Sequence, residues 1–532
     1  MKKLNSIAIV VLIAGLLFIG ISCSIILPAY IKGKNKPIND KLVKIDTEKF
    51  ELPEIVKNDS LLKNFNFNVT ILDSNHNTFK GFSENYQTDS SQILCFRGNQ
   101  ERNNPSRGQL SKTPQQIELQ WKFETAVAKE WGGGSGWTGQ PLMVKWSKAM
   151  KLKLGIKDST FINNEDAIEG IVGSLSGEIY FFNTKNGKST REPLKVDGPI
   201  KGTVSLDPRM NGLLYVGQGI GQGKRFGAYI FNMISRKELL YLPGIDNHAS
   251  RGWGAFDSNP LIDKKTGTVI WPGENGLIYK IDCSDISNVH IVSKFSYKSE
   301  NTTRQGLESS ASVIGKYGFF ADNSGNIFCL DLIRFDPKWV INTYDDTDAS
   351  LVLSLENGKY FLYTGNEVDH RKPEAKSKLR KIDILTGKQI WSWGINCSGS
   401  DLFGKSNSGG MLATPLLGEN NCKDLIFAIF SRTNGTRKSE FIAINRKNGK
   451  KRFGIKMDGY SWASPVGLND KKGNMYVFFT DVHGITYLIN GKNGKMIHND
   501  TLPYIFESSP VVMNNQIIVG VRGKNIIGLK VI

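Results

Sequence analysis

The residues of this chain that could do chemistry lie in loops, each of which precedes a predicted inner strand. These loops carry tryptophans, a histidine, basic residues and carboxylates, and such a mixture of aromatic walls with a few polar groups is typical of ligand sites. A structural role is the competing hypothesis for each residue, because tryptophans also pack between neighbouring sheets. If the loops meet around one opening, the ligand-binding candidates are Trp137, Gln140, His248, Arg251, Trp253, Arg304, Glu308, Asp346, Asp348, Lys405, Trp462 and Glu507.

The densest acidic group in these loops is Asp345-Asp346-Thr347-Asp348. Adjacent carboxylates in one turn bind calcium weakly unless other oxygens join them, so the sequence predicts no metal site. Of the six histidines, only His248 lies in a loop expected to face the opening, which leaves few candidates for general-base chemistry. The sequence also has no GxSxG, HExxH or phosphate-binding loop, so we predict no catalytic residue and no cofactor. Enzymatic activity stays an open question, with a non-enzymatic role favoured.

Charge and cysteine usage exclude further classes of protein. The net charge is +18, but the lysines are spread over turns without interleaved aromatic residues, so nucleic acid is not an expected partner. The six cysteines are scattered and contain no CxxC pair. Their spacing argues against a thiolate zinc site and a c-type haem, and it favours free buried thiols.

The elements that must position these loops repeat along the chain. An apolar stretch ending in Asn or Asp recurs at intervals of 45 to 62 residues, and a degenerate eighth copy, Ile526–Leu529, ends the chain. A Gly-Lys pair follows several copies four residues later, as expected for a tight hairpin turn. The period predicts an all-β fold, an eight-bladed β-propeller of four-stranded antiparallel blades. The seven clear copies end at Asn183, Asn232, Asp282, Asp331, Asp383, Asn445 and Asn490.

The eight blades fill residues 116–532, but the last blade lacks its outermost strand. Gln116–Glu124 alternates apolar and polar residues and is predicted to supply that strand, which removes an open sheet edge. Residues 32–115 are predicted to form a tether and a lead-in segment. Within them, Phe65–Leu72 and Gln92–Phe96 have edge-strand patterns, and Arg97 and Arg102 are expected to dock the lead-in on the ring.

One copy of the repeat, Lys381–Trp391, resembles the Asp-x-x-Thr-Gly-x-x-x-Trp repeat of the pyrroloquinoline-quinone-like propellers. The resemblance covers residues 116–532 and implies the fold. Propellers of this kind include the quinoprotein dehydrogenases and the propeller lipoprotein of the bacterial outer-membrane assembly machine. A dehydrogenase of this family would hold pyrroloquinoline quinone with calcium, usually under a pair of adjacent cysteines, and this chain has no such pair.

The N-terminal residues 1–31 are predicted to be a membrane segment. Lys2-Lys3 precede Ile7–Ile26, a run of 20 residues without charge that is long enough to cross a bilayer. An uncleaved transmembrane helix is favoured over a cleaved signal peptide and over a lipoprotein modified at Cys23. Because the resembling family is mostly periplasmic, we expect the propeller on the periplasmic, extracytoplasmic side of a bacterial membrane.

These features predict a membrane-anchored, exported propeller that acts as a binding or assembly scaffold through its funnel face or its strand edges. Its expected partner is a protein or an extracytoplasmic polymer. One alternative is a quinone- and calcium-dependent oxidoreductase. Another is a carbohydrate- or polymer-binding propeller, which would be favoured if Trp137, Trp253 and Trp462 met around one opening.

Overall fold

The computed structural model describes residues 52–75, 78–82, 91–136, 139–299, 304–370, 373–399 and 408–532. The predicted membrane segment, residues 1–31, lies outside these ranges, as do the candidate site residues Trp137 and Lys405. Within the described ranges, no helix is long and apolar enough to cross a membrane.

Eight sheets of four antiparallel strands form the ring, which confirms the predicted all-β, eight-bladed propeller. The two central strands of each blade are buried on both faces, because neighbouring blades pack against them from both sides. Leu213–Gly217, for example, has no exposed residue. Double burial explains why these strands read as continuous apolar runs rather than as an alternating pattern.

The elements before the first blade belong to the lead-in segment and to the closing strand. A short 3₁₀ turn, Phe96–Gly98, interrupts them. The remaining elements are α1 (Asp59–Leu62), β1 (Phe65–Ile71), β2 (Ser106–Arg107), β3 (Ile117–Glu124) and β4 (Gly133–Gly134).

Blades 1 to 4 follow in chain order, each from its innermost strand A to its outermost strand D. Blade 1 has two helices between strands A and B. It contains β5 (Leu142–Lys145), α2 (Lys148–Lys153), α3 (Ser159–Asn163), β6 (Ile168–Gly173), β7 (Glu178–Asn183) and β8 (Ser189–Lys195). Blade 2 contains β9 (Ser205–Leu206), β10 (Leu213–Gly217), β11 (Gly227–Asn232) and β12 (Lys237–Pro243). Blade 3 contains β13 (Leu261–Ile262), β14 (Thr268–Pro272), β15 (Leu277–Asp282) and β16 (His290–Ser299). Blade 4 contains β17 (Ser312–Ile314), β18 (Tyr317–Ala321), β19 (Asn326–Asp331) and β20 (Asp336–Asn342).

Blades 5 to 8 continue in the same manner. Blade 5 contains β21 (Val352–Glu356), β22 (Lys359–Gly365), β24 (Glu374–Asp383) and β25 (Gln389–Ser398). A two-stranded ribbon beside it pairs β23 (Glu367–Val368) with β26 (Gly409–Gly410). Blade 6 contains β27 (Leu416–Leu417), a 3₁₀ turn (Asn420–Cys422), β28 (Leu425–Phe430), β29 (Ser439–Asn445) and β30 (Lys451–Met457). Blade 7 contains β31 (Val466–Asn469), β32 (Met475–Thr480), β33 (Ile485–Asn490) and β34 (Met496–Thr501). Blade 8 contains β35 (Val511–Met513), β36 (Gln516–Gly523), β37 (Asn525–Val531) and, as its strand D, β3.

The antiparallel order gives the ring two distinct faces. The A–B and C–D turns lie at one end of every blade, which we call the lower face. The B–C turns and the loops from strand D to the next strand A lie at the other end, the upper face. The described parts of the loops singled out in the sequence therefore lie on the upper face.

The ring is closed by the N-terminal strand, as predicted. β3 pairs antiparallel with β37 from Glu124 opposite Asn525 to Ile117 opposite Val531. Trp121 of β3 is buried, and its indole Nε1 donates to the carbonyl oxygen of Thr184 in blade 1, at 2.9 Å. The tryptophan therefore joins the last blade to the first.

Replacing Trp121 should weaken the closure. Trp121→Ala removes a buried indole and its hydrogen bond, and we expect the free energy of unfolding to fall by about 3–5 kcal/mol. Denaturant unfolding measures this loss, and Trp253→Ala is the matched control because Trp253 is 39% exposed. Equal losses in the two variants would contradict a closing role for Trp121.

The lead-in passes along the centre of the ring and bonds to inner strands. β1 adds a fifth strand to blade 3 by pairing with β16, as its edge-strand pattern predicted. The prediction of another strand at Gln92–Phe96 was wrong, because only Ile93 forms a bridge, with Met143 of blade 1, before the chain turns at Phe96–Gly98. The rest of the lead-in is held by main-chain hydrogen bonds and by the side chains of two arginines.

Arg97 and Arg102 are fully buried and dock the lead-in, as predicted. Arg97 donates to the carbonyl oxygens of Pro465 and Pro415, at 2.8 and 3.3 Å, which connects it to blades 7 and 6. The turn between the arginines needs Gly98, which has a φ of 77° and whose Cβ would lie 1.8 Å from the carbonyl oxygen of Asn104. Main-chain bonds from the lead-in reach further blades, through Leu206, Val313, Leu353 and Asn514.

Five cysteines lie within the described ranges, and all five are buried free thiols: Cys95, Cys283, Cys329, Cys397 and Cys422. The sequence-based preference for free thiols is confirmed for these residues.

Candidate functional site

The candidate site is a funnel on the upper face, closed from below by the lead-in. Phe96 of the lead-in forms its floor, and the surrounding space, including its solvent-open mouth, has a volume of about 380 Å³. Because the lead-in blocks the central channel, the funnel is a pocket and not a pore. The other lining residues are Thr203, Asp257, Glu308, Ser310, Asp348, Ser350 and Leu412.

The first carboxylate cluster lies at blades 2 to 4 and contains a buried lysine. Asp257, Glu274 and Glu308 each place an oxygen within 4.8 Å of the other two. Lys201, from the loop before blade 2, places its Nζ 2.5 Å from Asp257 and 3.8 Å from Glu308. Arg251 reaches Glu274 at 3.9 Å. This cluster therefore contains its own cations.

The second cluster lies beside it, at blades 4 and 5, and consists of Asp346, Asp348 and Glu367. Their carboxylate oxygens also lie within 4.8 Å of one another. Asn323 links the two clusters, because its Nδ2 donates to Glu308 at 3.3 Å and to Asp346 at 3.2 Å. Glu367 comes from the connection between strands B and C of blade 5. Its carboxylate thus adds the further oxygens that the Asp345–Asp348 turn lacks by itself.

The second cluster has no cation of its own among the described residues. Among the residues that the structure describes, no lysine, arginine or histidine forms an ion pair with Asp346, Asp348 or Glu367, although a ring nitrogen of His370 lies within 4.8 Å of Asp346. One oxygen of each carboxylate is buried without a hydrogen-bond partner. A buried carboxylate in this state must take up a proton or a cation, since an isolated charge is expensive to bury.

The carboxyl groups respond to this environment with raised pKa values. Burial, followed by the charge of Asp257, raises the pKa of Glu274 to about 8. Burial and the charge of Asp348 raise the pKa values of Glu308, Asp346 and Glu367 well above their usual range.

Lys201 behaves in the opposite way to an isolated buried lysine. Burial alone would lower its pKa, but the charges of Asp257, Glu308 and Glu274 outweigh burial and raise the pKa. The ammonium group therefore stays charged and compensates the first cluster.

The structure brings five of the predicted site residues into one sector of the funnel. Glu308, Asp346 and Asp348 belong to the clusters described above. Arg251 donates to Asn323 at 3.2 Å, and the exposed Arg304 contacts His370, whose Nδ1 lies 3.0 Å from Asp369. These five residues surround the carboxylates of blades 3 to 5.

Two other predicted residues have contacts away from the clusters. Gln140 is buried and accepts a hydrogen bond from the backbone N–H of Arg97, at 3.3 Å, so it fixes the lead-in. His248 pairs with Asp246 in its own loop, at 3.1 Å.

Trp253 has contacts in one loop, whereas Trp462 and Glu507 both contact Tyr460, whose hydroxyl donates to Glu507 at 3.0 Å. Trp253 packs edge-to-face on Phe226, and Trp462 packs on Tyr460. Glu507 pairs with Arg522 at 2.9 Å in blade 8. No ring contact joins Trp253 to Trp462 in the described part of the chain, so a shared tryptophan platform stays a prediction.

Sequence reasoning missed Lys201, Asp257, Glu274, Asn323 and Glu367. A signal was present for two of them, because Glu274 and Asn323 both stand two residues before a B–C turn glycine, at Gly276 and Gly325. That position points into the funnel in both blades. The other three carry no comparable mark.

Comparison with known proteins gives the fold. No known family profile matches the chain, and no curated protein matches it. Among solved structures, the quinohemoprotein alcohol dehydrogenase ADHIIG from Pseudomonas putida HK5 matches with a TM-score of 0.55 and 10% identity, over 84% of this chain and 81% of that one. The chain shares the propeller fold of this enzyme. The resemblance inferred from Lys381–Trp391 is thereby confirmed.

Two further solved structures match the chain with lower TM-scores. BamB from Moraxella catarrhalis matches with a TM-score of 0.46 and 14% identity, over 75% of this chain and 99% of that one. The computationally designed Ika8 protein matches with a TM-score of 0.48 and 11% identity, over 78% of this chain and 100% of that one. At such identities the likeness concerns the fold alone, and the function must be argued from the funnel.

Proposed function

We propose that this protein is a binding propeller whose funnel holds a divalent cation as part of the ligand site. The observation that carries the proposal is the second cluster, Asp346, Asp348 and Glu367. Three of its buried carboxylate oxygens have no hydrogen-bond partner among the residues that the structure describes. A cation at this point would replace the protons that the cluster must otherwise hold. It would also present a positive centre to an anionic or oxygen-rich partner entering the funnel.

Calcium is the ion that fits this donor set best. All three donors are carboxylates, and Ca²⁺ takes six to eight oxygen ligands in flexible geometry, whereas Mg²⁺ demands a tight octahedron. Asn323 is already engaged with Asp346, so remaining positions on the ion are left for water or for groups of a ligand. The cluster contains no thiolate, and His370, whose ring nitrogen lies within 4.8 Å of Asp346, is already paired with Asp369 at 3.0 Å.

Calcium is expected to stabilise the protein through Glu367. At about 100 times its dissociation constant, Ca²⁺ should raise the free energy of unfolding by roughly 2.7 kcal/mol, with Mg²⁺ giving less. Glu367→Gln should lose this response, because it removes one charged ligand from a side chain that is 1% exposed. Thermal unfolding in chelator and in Ca²⁺ measures both effects.

The matched control for this experiment is Glu165→Gln, which changes an exposed carboxylate at the lower face. It should respond to Ca²⁺ as the wild type does. A Glu367→Gln variant that keeps the full calcium response would contradict the proposed site, as would a wild type that shows none.

The wider role follows from the predictions that the sequence made. The proposal places the propeller outside the cytoplasm of a bacterium, anchored through residues 1–31, where it recognises a protein partner or an extracytoplasmic polymer. Its support is the uncharged run Ile7–Ile26. Signal-peptidase treatment and protease protection in membrane vesicles would show whether this segment is retained and which side carries the ring.

A quinone-dependent oxidoreductase is the second candidate, and the funnel fits it poorly. Only Phe96 and Leu412 give the cavity apolar walls, so no pair of flat surfaces encloses a planar quinone ring. The adjacent cysteines that usually cover such a quinone are not in the sequence. In the thermal experiment above, pyrroloquinoline quinone added with Ca²⁺ should therefore give no shift beyond that of Ca²⁺ alone.

A further inference from the structure

The lower face of the ring carries a set of lysines and arginines in equivalent positions. In the C–D turns, an Asn or Asp side chain caps the turn. A glycine takes a positive φ in blades 1, 5, 6 and 7, and Arg236 and Phe335 do so in blades 2 and 4. In blade 1, for example, Asn183 accepts from the N–H of Lys185 at 2.9 Å, and Gly187 has a φ of 70°. This geometry directs the intervening basic side chains away from the blade. The exposed basic residues of the seven C–D turns are Lys185, Lys188, Arg236, Arg334, Lys388, Lys447, Lys450, Lys492 and Lys495.

These turns are almost free of compensating acid. The same seven turns, all within the described ranges, carry one exposed carboxylate, Asp285. Among the described residues, no carboxylate lies within ion-pair distance of any lysine in the set. The acidic clusters lie on the upper face, away from these turns.

We propose that the lower face docks on an anionic lipid bilayer, with the funnel turned away from it. Lysines arranged around a ring suit a flat, diffuse negative surface, on which each adds attraction without a specific pocket. Six of the seven C–D turns contribute, so the contact is spread around the ring and not confined to one edge.

The course of the chain supports the same orientation. The described chain enters the ring at the lower face, where Glu54 pairs with Lys316 of an A–B turn at 2.9 Å. The backbone N–H of Ile55 donates to the hydroxyl of Tyr317 at 3.0 Å. Glu54 and Ile55, among the first described residues of the ring unit, therefore lie on the face that bears the lysines.

Lysine acetylation of the full chain, read by mass spectrometry, tests the docking face. The protein is mixed with phosphatidylcholine vesicles that either contain or lack phosphatidylglycerol. Modification of Lys388, Lys450 and Lys495 should slow about fivefold on the anionic vesicles. The attraction of each ammonium group to the surface lowers the fraction of reactive, uncharged amine by about that factor. Lys224 and Lys438, in B–C turns of the upper face, should react at one rate in both samples.

Two sets of substitutions with the same change in charge complete the test. The lower set is Lys388→Gln, Lys450→Gln and Lys495→Gln together, and the upper set is Lys224→Gln, Lys438→Gln and Lys524→Gln. On anionic vesicles, the remaining lower-face lysines, such as Lys492, should lose their protection from acetylation in the lower-set variant and keep it in the upper-set variant. High salt should remove it in the wild type.

Three outcomes would overturn the proposal. Equal acetylation on neutral and anionic vesicles would show that the lysines do not contact the bilayer. Protection of the upper-face lysines would show the reverse orientation. Protection by a soluble polyanion such as heparin, without protection by vesicles, would assign the face to a polymer in place of a membrane.

Discussion

Arg102→Ala is expected to lower the free energy of unfolding by about 3–5 kcal/mol. The buried guanidinium donates to the carbonyl oxygens of Ala311 and Asn259, each at 2.8 Å, and to that of Phe96 at 2.9 Å. It also donates to the side-chain oxygen of Asn259 at 2.8 Å. Alanine would leave four buried acceptors without these donors and a cavity beside them.

The position of these acceptors explains why so much depends on one side chain. Asn259 and Ala311 precede the innermost strands of blades 3 and 4, where small residues crowd around the axis and few side chains can satisfy main-chain carbonyls. Arg102 supplies the donors from the lead-in, so it joins two blades and the floor residue Phe96. Loss of this arginine should therefore disturb the funnel as well as the overall stability.

Denaturant unfolding measures the effect, with Arg236→Ala as the matched control. Arg236 also donates to two main-chain carbonyls, those of Glu192 at 3.1 Å and Pro193 at 2.7 Å, but it is exposed and water can replace it. That variant should lose no more than about 0.5 kcal/mol. Similar losses in the two variants would show that the lead-in does not tie the blades together.

The architecture could be predicted from sequence because it is repeated. The stretches ending at Asn183 to Asn490 mark one strand per blade, and the alternation in Gln116–Glu124 marks the closing strand. The prediction of a short strand at Gln92–Phe96 was wrong because an alternating sequence pattern does not show whether a neighbouring strand is available for pairing. The chain there follows the axis and turns at Phe96–Gly98, where tertiary contacts override the local preference.

The candidate site was predictable only in part, because its residues come from connections that carry no repeat. Asp346 and Asp348 stood out through their density along the chain, and Glu308 through its loop. Glu367 and Lys201 did not, since a single charged residue in a turn usually lies on the surface. Their role depends on blades meeting around an axis, which brings together residues that are more than 150 positions apart.

The funnel also predicts an unusual pH dependence of stability when no calcium is present. Glu274 has a pKa of about 8 in the folded protein against an ordinary value of 4.5. Such a group stabilises the fold fully below pH 4.5, and its contribution disappears as the pH rises to about 8. The raised pKa values of Glu308, Asp346 and Glu367 act in the same direction. Carboxyl groups with lowered pKa values, such as Asp470, lose their contribution to stability only at lower pH. They therefore do not change the free energy of unfolding between pH 4.5 and about 8.

The free energy of unfolding should therefore fall between pH 4.5 and about 8 in chelator, by up to about 5 kcal/mol from Glu274 alone. Glu274→Gln should remove that part of the slope, whereas Glu165→Gln, at the exposed position, should leave it unchanged. Urea unfolding at a series of pH values measures both. His370 also has a raised pKa, so its contribution to the free energy of unfolding falls with rising pH as well. The quantity to compare is therefore the difference between the wild-type and Glu274→Gln profiles. Parallel profiles would contradict the prediction.

Calcium should flatten this profile, and that result connects the pH dependence to the proposed ion. A bound cation favours the ionised carboxylates, so its affinity rises with pH as protons are displaced. The wild type should then gain most from Ca²⁺ near pH 8, where the metal-free funnel is least stable. If Ca²⁺ stabilised the protein equally at pH 5 and pH 8, the ion would bind away from the protonated carboxyl groups, and the second cluster would not be its site.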